Sequence, residues 1–123
     1  MRRVLFVDDE PEVLSSLRRG LWKEGRRWSL VFAIGAESAL AEVAQAEFDL
    51  VVSDLCMPGI NGVALLERIQ AQHERTVRVV LSGNADRATM ERAHTVAHAV
   101  LSKPCSVSEL RRCLERLLGD PAP

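Results

Sequence analysis

Five short apolar runs, each followed by a turn and then by residues at helical spacing, restrict what this chain can fold into. They lie at residues 4–7, 30–33, 50–53, 77–81 (broken by Arg78) and 99–101. An unbroken apolar run of this length suits a strand covered on both faces, as in a parallel sheet. Five repeats of strand then helix, joined by short connections, predict a parallel sheet with helices on both faces and right-handed crossovers.

The helical stretches carry their own signals. Pro11 suits a first helical position, and Val13, Leu14, Leu17 and Leu21 share one face of a helix that Gly25 is expected to end. Trp28 is expected to pack at the start of the second strand. Gly35 marks a turn, and an alanine-rich helix over 36–46 turns Leu40, Val43 and Ala44 inward. Pro58-Gly59 and Asn61-Gly62 are successive turn signals, after which a helix to about residue 73 buries Leu65, Leu66 and Ile69. Asp86 can cap a fourth helix with a thin stripe of Met90, Ala93 and Val96. Ser106 or Ser108 caps the last helix, whose stripe is Leu110, Cys113, Leu114 and Leu117, and Gly119 stops it. The tail at 120–123 reads as the start of a linker, which leaves residues 1–119 as one domain.

Three of the runs end in charge. The first leads into Asp8-Asp9, the third into Asp54, and the fifth through Ser102 into Lys103-Pro104. Open α/β sheets place ligands at the carboxyl edge of their strands, so these acids and the lysine are expected to share one site. Clustered carboxylates have raised pKa values unless a cation neutralises them, and hard oxygen donors suit Mg²⁺. A cation held by acids, with Lys103 and a hydroxyl at Ser82, is equipment for phosphoryl transfer. A carboxylate can itself act as nucleophile toward a phosphoryl group. Asp54 is central and singular, whereas the paired Asp8 and Asp9 are better placed as metal ligands.

Composition narrows the classes further. A net charge of −1 gives no global attraction to nucleic acid or anionic membrane. No run approaches the length of a membrane span, and Met1-Arg2-Arg3 leads straight into a strand, so a cytoplasmic location is expected. Cys56, Cys105 and Cys113 lack metal-ligand spacing and are expected to be free thiols. Lys103 is one of only two lysines beside fourteen arginines, consistent with use of a compact ammonium.

In this order, the acidic pair, Asp54 with Met57-Pro58-Gly59 and the later Gly62, Ser82-Gly83 and Lys103-Pro104 resemble a response regulator receiver domain, the phosphoacceptor module of two-component signalling. The resemblance covers essentially the whole chain. It implies a three-layer, flavodoxin-like (βα)5 fold with sheet order 2-1-3-4-5 and a cis Lys103-Pro104 bond. It implies that Asp54 accepts a phosphoryl group from a sensor histidine kinase or a histidine phosphotransfer protein. Asp9, Asp54 and the backbone carbonyl of Cys56 would bind Mg²⁺ directly, and Asp8 through water. Lys103 and Ser82 would contact the phosphoryl oxygens, an output domain or partner protein would read the result, and the chemistry would be self-directed rather than enzymatic. A homodimer through the face of the fourth helix, fifth strand and fifth helix is a further possibility of the family. One departure stands out: Val100 occupies the position where the family usually carries Tyr or Phe, which puts the usual route from Ser82 to that face in doubt. The run from Ala97 to Cys105, with Leu81-Ser82-Gly83, is similar to receivers preceding HD-GYP or HDOD-type output domains.

Simpler readings apply to each motif alone. Asp8 and Asp9 could be helix-capping acids, and Ser82 and Lys103 a turn hydroxyl and a solvated cation. His94 and His98 lack the companions of a metal set and read as surface or packing residues. A docking module that is never phosphorylated is one alternative. A haloacid-dehalogenase-like phosphatase is another, but its metal-binding acids would need a different spacing around the nucleophile.

Overall fold

The computed structural model describes residues 1–57 and 61–119. The strands are β1 (Arg2–Asp8), β2 (Trp28–Ile34), β3 (Leu50–Asp54), β4 (Val77–Ser82) and β5 (Ala99–Ser102). The helices are α1 (Pro11–Gly20), α2 (Gly35–Gln45), α3 (Gly62–Gln72), α4 (Arg87–Val96) and α5 (Val107–Leu118). All strand pairs are parallel, in the order β2-β1-β3-β4-β5. This is the expected flavodoxin-like arrangement.

Strand alternation sorts the core into two layers. Val4, Phe6, Leu50, Val52, Val79 and Leu81 face α1 and α5, packing with Leu14, Leu110, Cys113 and Leu114. Leu5, Val7, Val51 and Val80 point the other way, against Ala39, Val43, Leu65, Leu66, Ile69 and Ala93 of α2 to α4. β3 is buried along its whole length because it has a strand on each side and helices over both faces. That is why its sequence is a continuous apolar run rather than an alternating one.

Helix caps follow the sequence where a side chain can bond the first turn. Asn61 accepts from the Ala64 amide at 2.9 Å, Asp86 from Thr89 at 2.7 Å, and Ser106, not Ser108, from Glu109 at 3.0 Å. Trp28 is fully buried at the start of β2. Lys103-Pro104 is cis.

Three expectations need correction. Helix α1 ends at Gly20, and residues Trp22–Arg26 form a separate 3-10 helix, so Gly25 does not end α1. The apolar stripe runs out after Leu21, since the next positions on that face are Glu24 and Gly25, and a tighter turn is then no loss. Gly20 also sits against α5, where a Cβ would come within 2.6 Å of Val107 Cγ2. Ala44 is exposed rather than inward, the buried face of α2 being Ala36, Ala39 and Val43. The second strand reaches from Trp28 to Ile34, wider than 30–33, because β1 pairs with it from Arg2 to Asp8. The turn at Pro58-Gly59 and the tail at 120–123 lie outside the described residues.

Candidate functional site

The register of the sheet brings the charged strand ends together. β1 and β3 are adjacent and parallel, with Val7 opposite Ser53, so Asp8 and Asp54 each follow that pair by one residue. Asp54 in turn lies opposite Leu81, which places Ser82 at the neighbouring tip, and Ser82 lies opposite Ser102, the residue before Lys103. Four parallel strands therefore deliver their carboxyl ends to one edge.

The side chains meet there. Carboxylate oxygens of Asp8, Asp9 and Asp54 all lie within 4.8 Å of one another. Asp8 and Asp54 are buried and Asp9 is partly buried. Lys103 Nζ donates to Asp54 Oδ1 at 2.8 Å. Asp8 Oδ1 accepts from the Glu10 amide at 2.9 Å, fixing its carboxylate at the entrance to α1.

Electrostatics at the cluster are unbalanced. Burial raises the Asp8 pKa, and the nearby Asp54 charge adds to this, against the opposing Glu10 amide and Lys103. Lys103 moves upward as well: burial disfavours its charge, but its hydrogen bond and attraction to Asp54, with Asp8 and Glu10 behind, outweigh that penalty. Three acids facing one lysine leave negative charge that a divalent cation would neutralise. An all-oxygen set of three carboxylates fits Mg²⁺.

Ser82 is buried at the tip of β4, and its hydroxyl donates to Met90 Sδ on α4 at 3.1 Å. Val100 is partly buried against the α2 to α4 layer, as are Met90, Ala85 and Ala97. The Cys56 side chain is exposed, and Met57 is buried. His98 is an exposed surface residue that accepts through Nδ1 from the Arg78 amide at 3.0 Å, in line with its reading as a surface or packing residue. Among the described residues the only His, Cys and acid group close enough to hold a metal is the Asp8, Asp9 and Asp54 set.

Two contacts were not legible beforehand. Gly62 packs directly on the backbone that carries Asp54: its amide donates to Leu55 O at 2.9 Å, and a Cβ there would overlap the Asp54 carbonyl oxygen. The sequence offers Gly62 as a turn, a helix start and the later glycine of the resemblance, with no sign of its contact with the Asp54 backbone. Met90 reads there as a core residue on a helix stripe, with no sign that its sulfur meets the Ser82 hydroxyl.

Comparison with known proteins agrees with this geometry. The family model "Response regulator receiver domain" matches residues 4–115. The virulence sensor protein BvgS of Bordetella bronchiseptica is 40% identical over 121 residues, covering 91% of this chain and 10% of BvgS. The transcriptional regulatory protein TrcR of Mycobacterium tuberculosis is 30% identical over 94% of this chain and 45% of its own length. The chain thus spans a tenth to under half of these relatives. Among solved structures, Vibrio cholerae chemotaxis protein CheY4 superposes with a TM-score of 0.84 at 26% identity, covering 95% of this chain and 98% of that one. Response regulator TrrA of Thermotoga maritima, solved with Mg²⁺ and BeF, gives 0.81 at 28% identity, covering 95% and 99%. The chain belongs to the response regulator receiver domain family of two-component signalling. Receiver domains bind Mg²⁺ in an acidic pocket, and the Asp8, Asp9 and Asp54 cluster stands at the corresponding edge of this fold.

Proposed function

We propose that this chain is an active phosphoacceptor whose nucleophile is Asp54. The observation that carries the reading is the convergence of three carboxylates and Lys103 at one sheet edge, with Lys103 Nζ 2.8 Å from Asp54 Oδ1. An Asp54 carboxylate oxygen attacks the phosphorus of a phosphohistidine on a sensor kinase or phosphotransfer protein. The P–N bond breaks, an acyl phosphate forms, and the imidazole leaves with its electron pair and is protonated. Water later cleaves the acyl phosphate, so the chemistry is self-directed.

Each side chain has a task in that cycle. Asp8, Asp9, Asp54 and the Cys56 carbonyl would hold Mg²⁺, which supplies charge neutralisation for the phosphoryl oxygens when bound. Lys103, already drawn to Asp54, turns to the incoming oxygens and balances their charge. Ser82 trades its weak acceptor, the Met90 sulfur, for a phosphoryl oxygen. An output domain or a partner reads the result, and the run at 97–105 with Leu81-Ser82-Gly83 supports an output of the HD-GYP or HDOD type.

The test is intact mass after incubation with Mg²⁺ and acetyl phosphate. A gain of one phosphoryl group, abolished by Asp54→Ala and by chelation, is expected. No gain in a sample shown to bind Mg²⁺, repeated with a phosphorylated histidine donor, would leave the chain a docking module. Sustained turnover of a small phosphate ester would instead favour a phosphatase.

A further inference from the structure

We infer that the free edge of β2, with the groove beside it, is a docking site for an extended acidic segment of a partner protein. The groove lies away from the acidic cluster. Its walls are the 3-10 helix residues Trp22, Lys23 and Arg26, Arg18 of α1, and the β2 face that carries Leu30 and Phe32.

Three independent features point to the same occupant. First, among the described residues β2 pairs only with β1, and its seven residues, WSLVFAI, hold no charge and no proline. An edge strand of that length without a charged or proline guard offers unpaired backbone groups to an added strand. Second, the groove is cationic: Arg18, Lys23 and Arg26 line it, and among the described residues no acid lines it and none of the three has a carboxylate within ion-pair distance. Third, it is apolar beneath those cations, since Trp22 is 78% exposed and Leu30 and Phe32 are only partly covered.

Together these features select the partner. Unpaired strand groups call for polypeptide in extended form, and the cations call for acidic side chains at its borders. The exposed indole calls for an apolar residue among them. A second copy of this chain is a poor occupant, because a two-fold contact would set the same three cations against each other. A nucleic acid would satisfy the cations but leave the strand edge unpaired. The groove shares no wall residue with the Asp8, Asp9 and Asp54 cluster.

The probe is a fluorescent peptide of about eight residues alternating Glu with Val, long enough to lie along β2. Saturable binding to the intact chain is expected, with amide shifts concentrated in Trp28–Ile34 and in the 3-10 helix. Reversal of Arg18, Lys23 and Arg26 to Glu should weaken it tenfold or more, and Trp22→Ala by about tenfold. A control peptide with Pro in place of alternate Val residues should not bind, since it cannot pair as a strand. Several outcomes would overturn the inference: no saturable binding; equal binding of the Pro peptide; a single-stranded oligonucleotide that outcompetes the peptide; amide shifts lying elsewhere; or self-association through β2. Folding of each variant is checked by circular dichroism and by retention of Mg²⁺ binding. The unmodified chain carries the test if a variant misfolds, because the Pro control and the shift map need no substitution.

Discussion

Gly62→Ala tests the link between local packing and the candidate site most directly. The new Cβ would overlap the Asp54 carbonyl oxygen and would stand 2.9 Å from Leu55 Cα and 3.0 Å from the Asp54 carbonyl carbon. Ordinary carbon contacts begin near 3.4 Å, so two backbone atoms must each recede by about 0.5 Å and the oxygen by more. None of these is a side chain that can rotate away. The loop must move, and with it the 2.9 Å bond from the Gly62 amide to Leu55 O and the carboxylate of Asp54. Overpacking of this kind costs about 2–3 kcal/mol, and the better helix propensity of alanine recovers under 1 kcal/mol at a first-turn position. Displacing the nucleophile by an appreciable fraction of an ångström should slow acetyl phosphate labelling by about 10²-fold. Gly25→Ala is the control, since a Cβ there meets nothing within 4 Å, and it should leave both stability and labelling unchanged. Urea unfolding and labelling rates read the two effects. A Gly62→Ala protein with native stability and native labelling would refute the packing argument.

Other perturbations follow from single contacts. Asp8→Asn keeps an Oδ1 for the Glu10 amide while removing one of the crowded charges, so without metal the variant should melt a few degrees higher, and stabilisation by Mg²⁺ should largely vanish. Arg78 is buried with its guanidinium on the Val96, Glu74 and Thr76 carbonyls, tying the end of α4 to the loop before β4. Arg78→Met should cost about 2–4 kcal/mol in urea unfolding and speed amide exchange at the end of α4, because carbonyls are left without donors. Burial and the neighbouring Arg78 charge lower the His98 pKa, and its Nδ1 serves as an acceptor. Its contribution is therefore present above the unfolded value near 6.5 and fades as pH falls below it. His98→Asn, whose side-chain oxygen can accept in place of Nδ1, should flatten the stability profile below about pH 6.5.

What the sequence determined by itself is local or periodic. Apolar runs set the strands, stripes such as Leu110, Cys113 and Leu114 set the helix faces, and side-chain oxygens at Asn61, Asp86 and Ser106 set the caps. The acids and the lysine were legible because each closes a run, and a parallel sheet puts all such closings on one edge. Tertiary structure decided what depends on neighbours distant in the chain. Helix α1 stops at Gly20 because its apolar stripe is exhausted and α5 crowds that glycine. The Ser82 hydroxyl finds the Met90 sulfur, and Gly62 presses on the backbone of Asp54. Arg78, an unremarkable arginine in sequence, becomes a buried clamp because carbonyls at the ends of α4 and of the preceding loop converge on it. Spacing along a chain encodes which face a residue presents, but the atom that meets it across the core is fixed only when the layers close.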